Sequence, residues 1–296
     1  MDIEICSYED WMKPHIARMF SMEYGVDRSS FADLMGKFYD NPYQKEKCIR
    51  IVAKSGDNVI GFQSFFYWPY FLNGKKYNSY QSGNSLVHPG FRGKGVFQKL
   101  LKHLDHHHVS HGIDFLIGFP INVSTGSLTR NGWDHPFDLE WRIKPVTPLT
   151  SFFVNETRIK KYFSTKDYNI IDSCNDSMRL SREEEFLNWR DYYFSNPVYY
   201  YKYDDDKHQV VFSLKLIKRK KYMKELIIGN IRATNYDSVF ITKAIHSLEV
   251  SAKKSGCITF LSCAYNPFSR IGLDDILKQA GFRKIKNKIY FQIKAF

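Results

Sequence analysis

A chain of 296 residues with 43% hydrophobic and 25% charged residues is too apolar for a disordered protein and long enough for two globular cores. Its formal net charge of +12 points to an anionic partner without choosing among CoA, nucleotide-sugars, nucleic acid and anionic lipid. Five scattered cysteines (Cys6, Cys48, Cys174, Cys257, Cys263) with no paired spacing argue against a disulfide framework or a cysteine-ligated metal, and no apolar run approaches the roughly 20 residues of a membrane span. With no signal peptide evident, the expectation is reduced thiols and a cytoplasmic location.

In chain order, the pattern predicts a strand over 3–7, helices over 10–21 and 30–38, and strands over 49–54, 59–70 and 75–87. The last of these ends Val87-His88-Pro89 and runs into Gly90-Phe-Arg-Gly-Lys-Gly95, after which Val96, Phe97, Leu100, Leu101 and Leu104 mark an amphipathic helix to 111. A strand, a glycine loop and a helix N-terminus make an anion site: Gly93 and Gly95 leave unpaired amides uncovered, and Arg92 and Lys94 add charge. A diphosphate fits that description. The spacing is neither a Walker loop, since Gly95 is followed by Val96 and Phe97, nor a dinucleotide fingerprint, since Gln98 stands where a third glycine belongs. A strand over 113–119, Asn122, a short helix and Gly132-Trp133 follow. His103, His107 and His111 share helical spacing, but with no ligand from a second element no metal is expected.

This stretch resembles the acyl-CoA loop of the GNAT N-acetyltransferase superfamily, Arg/Gln-x-x-Gly-x-Gly/Ala after a strand ending Val-x-Pro. Arg92 and Gly95 match, and Phe97 departs from the third position. The likeness covers roughly 1–145. It implies an α/β (α+β) fold with mixed, mostly antiparallel sheets flanked by helices, and acetyl-CoA as cosubstrate. It further implies pyrophosphate binding by Arg92, Gly93, Lys94, Gly95 and Val96, backbone donors at Leu86 and Val87 for the oxyanion, and Asn122 beside the pantetheine arm.

A second copy is visible. Residues 112–122 align without a gap on 256–266, each preceded by an amphipathic helix and followed by a short helix closed by Gly-aromatic, Gly132-Trp133 and Gly281-Phe282. Where the loop should recur, Gly229-Asn-Ile-Arg-Ala-Thr-Asn-Tyr-Asp-Ser238 has no glycine pair, and Asp237 offers an N-cap of its own. The expected organisation is a GNAT domain with a phosphate loop at 1–147 and a degenerate GNAT-like domain at 148–296, divided near Pro145 and Pro148. The second half opens with a strand near 168–171 and a helix over 181–193 begun by a Ser181/Glu184 capping box. The basic run 215–224 suits a solvated hairpin turn. Trp189-Arg190, Asn196-Pro197 and Tyr199 to Tyr201 resemble GNAT-type proteins found with bacterial polysaccharide genes.

For chemistry, His88 ranks first as general base by its place at the strand end and its type, with Glu23 second and Asp134 or His135 third. The family's tyrosine acid falls on Leu128, so the leaving thiolate must find its proton elsewhere. Tyr80, Ser82 and Asn84 alternate toward His88 and, with Asp134, are the candidate acceptor-binding residues. The function expected is acetyl-CoA-dependent N-acetyl transfer to a small amine, an amino sugar or nucleotide-linked amino sugar. The alternatives are a Fem-type aminoacyl-tRNA-dependent transferase and a non-catalytic GNAT-like binding protein. Nucleic acid is not the expected partner, and the oligomeric state stays open.

Overall fold

The computed structural model describes residues 2–25, 27–146, 156–168, 170, 173, 177–193, 198–220 and 223–296. In chain order these form β1 (Glu4–Ser7), α1 (Lys13–Tyr24), α2 (Arg28–Tyr39), β2 (Ile49–Ser55), β3 (Asn58–Tyr67), β4 (Tyr70–Leu72), β5 (Lys75–Tyr77), β6 (Ser79–Val87), α3 (Val96–His107), β7 (Phe115–Gly118), α4 (Asn122–Thr129) and β8 (Asp134–Pro145). There follow α5 (Glu156–Tyr162), β9 (Arg179–Leu180), α6 (Glu184–Tyr193), β10 (Val198–Asp204), β11 (Gln209–Lys220), β12 (Met223–Ala233), α7 (Ser238–Ser255), β13 (Phe260–Tyr265), α8 (Leu273–Gln279) and β14 (Arg283–Ala295). No helix among the described residues is long and apolar enough to cross a membrane.

The chain divides into two compact units, one of residues 1–136, 178–193 and 290–296, the other of 137–177 and 194–289. A single cut at 147/148 does not separate them, and Thr147 and Pro148 lie outside the described residues. The reason is strand pairing. The strand β8, expected to end the first half, pairs with β13 from Glu140↔Tyr265 to Pro145↔Phe260. The end of the chain instead completes the first unit, where Gln292 to Ala295 of β14 pair with Gly118 to Phe115 of β7. Segment 178–193 also joins the first unit: Phe186 and Trp189 are buried in its core, and Trp189 Nε1 donates to the Phe38 carbonyl at 3.3 Å.

In the first unit the sheet runs β1-β2-β3-β6-β7-β14, antiparallel except for the parallel β6/β7 pair. Strand β3 is buried from Val59 to Tyr67, as a central strand covered on both faces must be. The expected strand over 75–87 is broken at Asn78, whose amide donates to Asp114 Oδ2 at 2.7 Å; before it, β4 and β5 form a hairpin with Asn73-Gly74 at its turn, both with positive φ. On α3, Val96, Leu100, Leu101 and Leu104 are buried, the stripe expected from the sequence. The expected capping box is altered: α6 starts at Glu184, and Ser181 Oγ accepts from the Glu183 amide.

In the second unit β8-β13-β12-β11-β10 are neighbours, with β12/β13 parallel and α7 supplying Phe240, Ile241, Ala244, Ile245 and Leu248 to the core. The expected hairpin of the basic run joins β11 and β12; its Lys221 and Tyr222 lie outside the described residues, as do Asn169, Ile171, Cys174 and Asn196-Pro197.

Candidate active site

The first unit opens its own sheet. Pairing of β6 with β7 covers only Ser79↔Phe115, Tyr80↔Leu116 and Gln81↔Ile117, after which β6 continues to Val87 without β7. On its other edge β6 steps from Ser82↔Phe65 to Ser85↔Gln63, three residues against two, so the Gly83-Asn84 pair carries a β-bulge. A bulge bends its strand and raises the local twist, which turns the end of β6 away from β7. Gly83 is required there: a Cβ at this position would lie 2.5 Å from the Phe66 ring and 2.7 Å from Ser64 Oγ. Ser64 Oγ also donates to the Asn84 carbonyl at 3.3 Å and holds the bulge.

The opening is a cleft of about 480 Å³ whose walls include Phe20, Phe31, Phe97 and Phe119, with Gln63, Ser82, Asn84, Ser85 and Ser124 as its polar groups. Phe97, discordant in the loop pattern, is therefore a wall of this cleft. Leu128 lines it too, 3% exposed, at the position where a tyrosine acid was sought.

The glycine loop sits at the C-terminal end of β6. Gly93 and Gly95 have φ of 75° and 73°, left-handed values that side chains disfavour. Gly95 is the N-cap of α3 and no side chain bonds to that first turn, so its amides remain available to an anion. Arg92 Nε donates to the Val87 carbonyl at 3.1 Å and its Nη2 to Glu23 Oε2 at 2.6 Å, while Lys94 Nζ donates to the Gly90 carbonyl at 2.9 Å. These bonds tie the loop to the ends of β6 and α1. Leu86 is buried and Val87 half-buried, paired to Phe62 and Gly61 of β3.

Several expected site residues lie elsewhere. The ring of His88 is not on the cleft: its Nδ1 accepts from the Gly90 amide at 3.2 Å, which makes it a local cap of the turn after Pro89. Glu23 is held by Arg92, also off the cleft. Tyr80 is 7% exposed, edge-on to Tyr67, and burial pushes its hydroxyl up to about 12; it is a core residue. Asp134 and His135 are exposed at the start of β8, and Asn122 is exposed at the start of α4. Ser82 and Asn84 do line the cleft. His107 Nδ1 donates to the His103 carbonyl, and among the described residues no group of three or more His, Cys, Asp or Glu is arranged to hold a metal.

The second unit repeats the bulge without the loop. Strand β12 steps from Ile228↔Leu214 to Ile231↔Phe212, placing the extra residue at Gly229-Asn230 opposite Ser213, whose Oγ donates to the Asn230 carbonyl. Ser64 with Gly83-Asn84 and Ser213 with Gly229-Asn230 are thus one device built twice. Comparing these Gly-Asn pairs in the sequence would have found Gly83. The N-terminus of α7 differs from that of α3: Asp237 Oδ1 accepts from the Phe240 amide at 2.9 Å, and Asn235 Oδ1 from the Asp237 amide at 3.0 Å.

Residues 12–135 match the acetyltransferase (GNAT) domain family. No curated protein is similar in sequence to the chain. Among solved structures, a probable N-acyltransferase of unknown function from Enterococcus faecalis V583 superposes with a TM-score of 0.67 at 11% identity, covering 100% of this chain and 73% of its own. A tandem GNAT protein from the clavulanic acid biosynthesis pathway gives 0.50 at 10% identity, covering 99% and 98%. A glucosamine N-acetyltransferase region of a fungal multi-domain β-N-acetylglucosaminidase gives 0.56 at 14% identity, covering 99% of this chain and 38% of that one. Identities this low speak for fold alone. With its strand-loop-helix site and the family match over 12–135, the first part of the chain is a GNAT-type acetyltransferase domain, and the chain as a whole has a tandem GNAT-like fold.

Proposed function

We propose that the first unit transfers an acetyl group from acetyl-CoA to a small amine, and that the second is a degenerate module that binds no CoA. The observation that carries this reading is the pairing of two features on one strand: the bulge at Gly83-Asn84 that opens β6, and the left-handed Gly93 and Gly95 before an uncapped α3. Bound there, acetyl-CoA supplies an activated acyl carbon. Arg92, Gly93, Lys94, Gly95 and Val96 would hold the pyrophosphate, Leu86 and Val87 would turn backbone donors to the thioester oxygen, and Asn122 would flank the pantetheine arm. Ser82 and Asn84 would meet the acceptor. The amine nitrogen bonds to the acyl carbon, the carbon–sulfur bond breaks, and the thiolate takes the proton that nitrogen gives up.

An amino sugar, free or nucleotide-linked, is the proposed acceptor, in bacterial polysaccharide synthesis. The polar Ser82, Asn84 and Ser85 beside aromatic walls suit a hydroxyl-rich ring, the charge of +12 suits a phosphate-bearing one, and the fungal glucosamine N-acetyltransferase region has the same fold. Use of acetyl-CoA goes with a cytoplasmic protein. Thiol release from acetyl-CoA across a panel of amino sugars and other amines tests the reading. Release stimulated by one sugar class supports it; binding of acetyl-CoA with no stimulation by any amine favours a binding protein.

A further inference from the structure

The cleft of the first unit contains no charged side chain among its described lining residues. Its polar groups are amides and hydroxyls, and the one titratable side chain along it is Tyr24, on α1, 62% exposed. Among the described side chains of α2, β3, β6, α3, β7 and α4, only neutral groups face the space. The two nearby candidates for taking a proton are engaged: His88 Nδ1 by the Gly90 amide, Glu23 by Arg92. Gln63, fully buried in the floor, donates from Nε2 to Ser82 Oγ at 3.1 Å, while its Oε1 has no partner. The described lining thus offers no counter-charge suited to an ammonium.

The geometry points to selection of the acceptor as a neutral amine, and so to weakly basic amines as the substrate class. An ammonium entering this aromatic cleft would give up hydration with no carboxylate to replace it. A neutral amine keeps its lone pair for attack and needs no enzyme base. After nitrogen bonds to the acyl carbon and sulfur leaves, the proton on nitrogen passes to the thiolate, and the charges balance. At neutral pH an amine titrating near 8 is neutral about two-hundredfold more often than an alkylamine titrating near 10.4. This inference rests on the acyltransferase reading.

The test uses the unmodified chain, acetyl-CoA and two aromatic amines of similar bulk, phenylalaninamide as the weak base and 2-phenylethylamine as the strong one. Thiol release is followed across pH, with acetyl-CoA binding checked by calorimetry. The expected result is a kcat/KM that rises tenfold per pH unit and levels at each acceptor's own pKa, so that the break moves with the acceptor. A break at the same pH for both amines, or a preference for the stronger base at neutral pH, overturns the inference and leaves the acyltransferase reading in place. No binding of acetyl-CoA overturns that reading itself.

Discussion

Arg92 Nη2 lies 2.6 Å from Glu23 Oε2, so the one guanidinium of the glycine loop is engaged by a carboxylate at the end of α1. Both side chains are partly exposed, and such a pair contributes only about 0–1 kcal/mol to stability. A bound pyrophosphate would compete with Glu23 for that cation. Glu23→Gln is expected to leave stability nearly unchanged and to tighten acetyl-CoA several-fold. Arg92→Ala should weaken it by about tenfold or more, the worth of a charge-assisted hydrogen bond. Isothermal titration of both variants decides the matter; weaker binding in Glu23→Gln would assign the carboxylate to the ligand instead.

Gly95 stands at φ 73° where α3 begins. A valine there pays about 1–2 kcal/mol for the left-handed backbone and covers the first-turn amides. Gly95→Val should raise the KM for acetyl-CoA strongly and leave kcat at saturation less affected. An unchanged KM in a folded variant would remove the loop from the site.

Gly83→Ala probes the bulge. Its Cβ would sit 2.5 Å from the Phe66 ring, inside a fully buried layer, so Phe66 or the strand must move. Overpacking of this kind costs about 1–3 kcal/mol. The melting temperature should fall by several degrees, and acetyl-CoA binding should weaken as β6 straightens. A variant as stable as the parent would show that the bulge tolerates a side chain.

Acid stability should depend on Asp274. Arg142 donates from Nε and Nη2 to its two oxygens at 2.9 and 3.0 Å, which holds the Asp274 carboxyl below its ordinary value, with the Tyr265 hydroxyl adding to the effect. Since the folded carboxyl is the more acidic one, its contribution is complete above the unfolded value of about 3.9 and is lost as pH falls through the folded one. Thermal melts of Asp274→Asn should therefore fall less steeply than the parent's over that acid window, from a lower plateau at neutral pH. Parallel curves would show that the pair contributes nothing.

Much of the first unit was legible from its chain. Positions 96, 100, 101 and 104 carry a buried stripe because apolar period reports a helix face directly, and glycines 93 and 95 adopt the left-handed conformations that glycine invites. Other features depended on contacts between distant residues. The bulge at Gly83 is set by Phe66 and Ser64 across the strand, and no local period announces it. His88 has the right type and position for a base, but the turn after Pro89 brings the Gly90 amide onto its ring. The pairing of 292–295 with β7 and of 140–145 with β13 was hidden because alternation shows that a segment is a strand and not which strand it joins.

The central claim is that one half of a duplicated fold binds CoA. At α7 the Asp237 carboxylate already occupies the Phe240 amide, so the second unit should have no phosphate site, whereas α3 is left open. Isothermal titration of the whole chain with acetyl-CoA tests this most directly, alongside Asp237→Ala. The account predicts one molecule bound per chain, with an affinity strongly lowered by Gly95→Val and a number unchanged by Asp237→Ala. Two equivalent sites, or no binding by a folded chain, would contradict it.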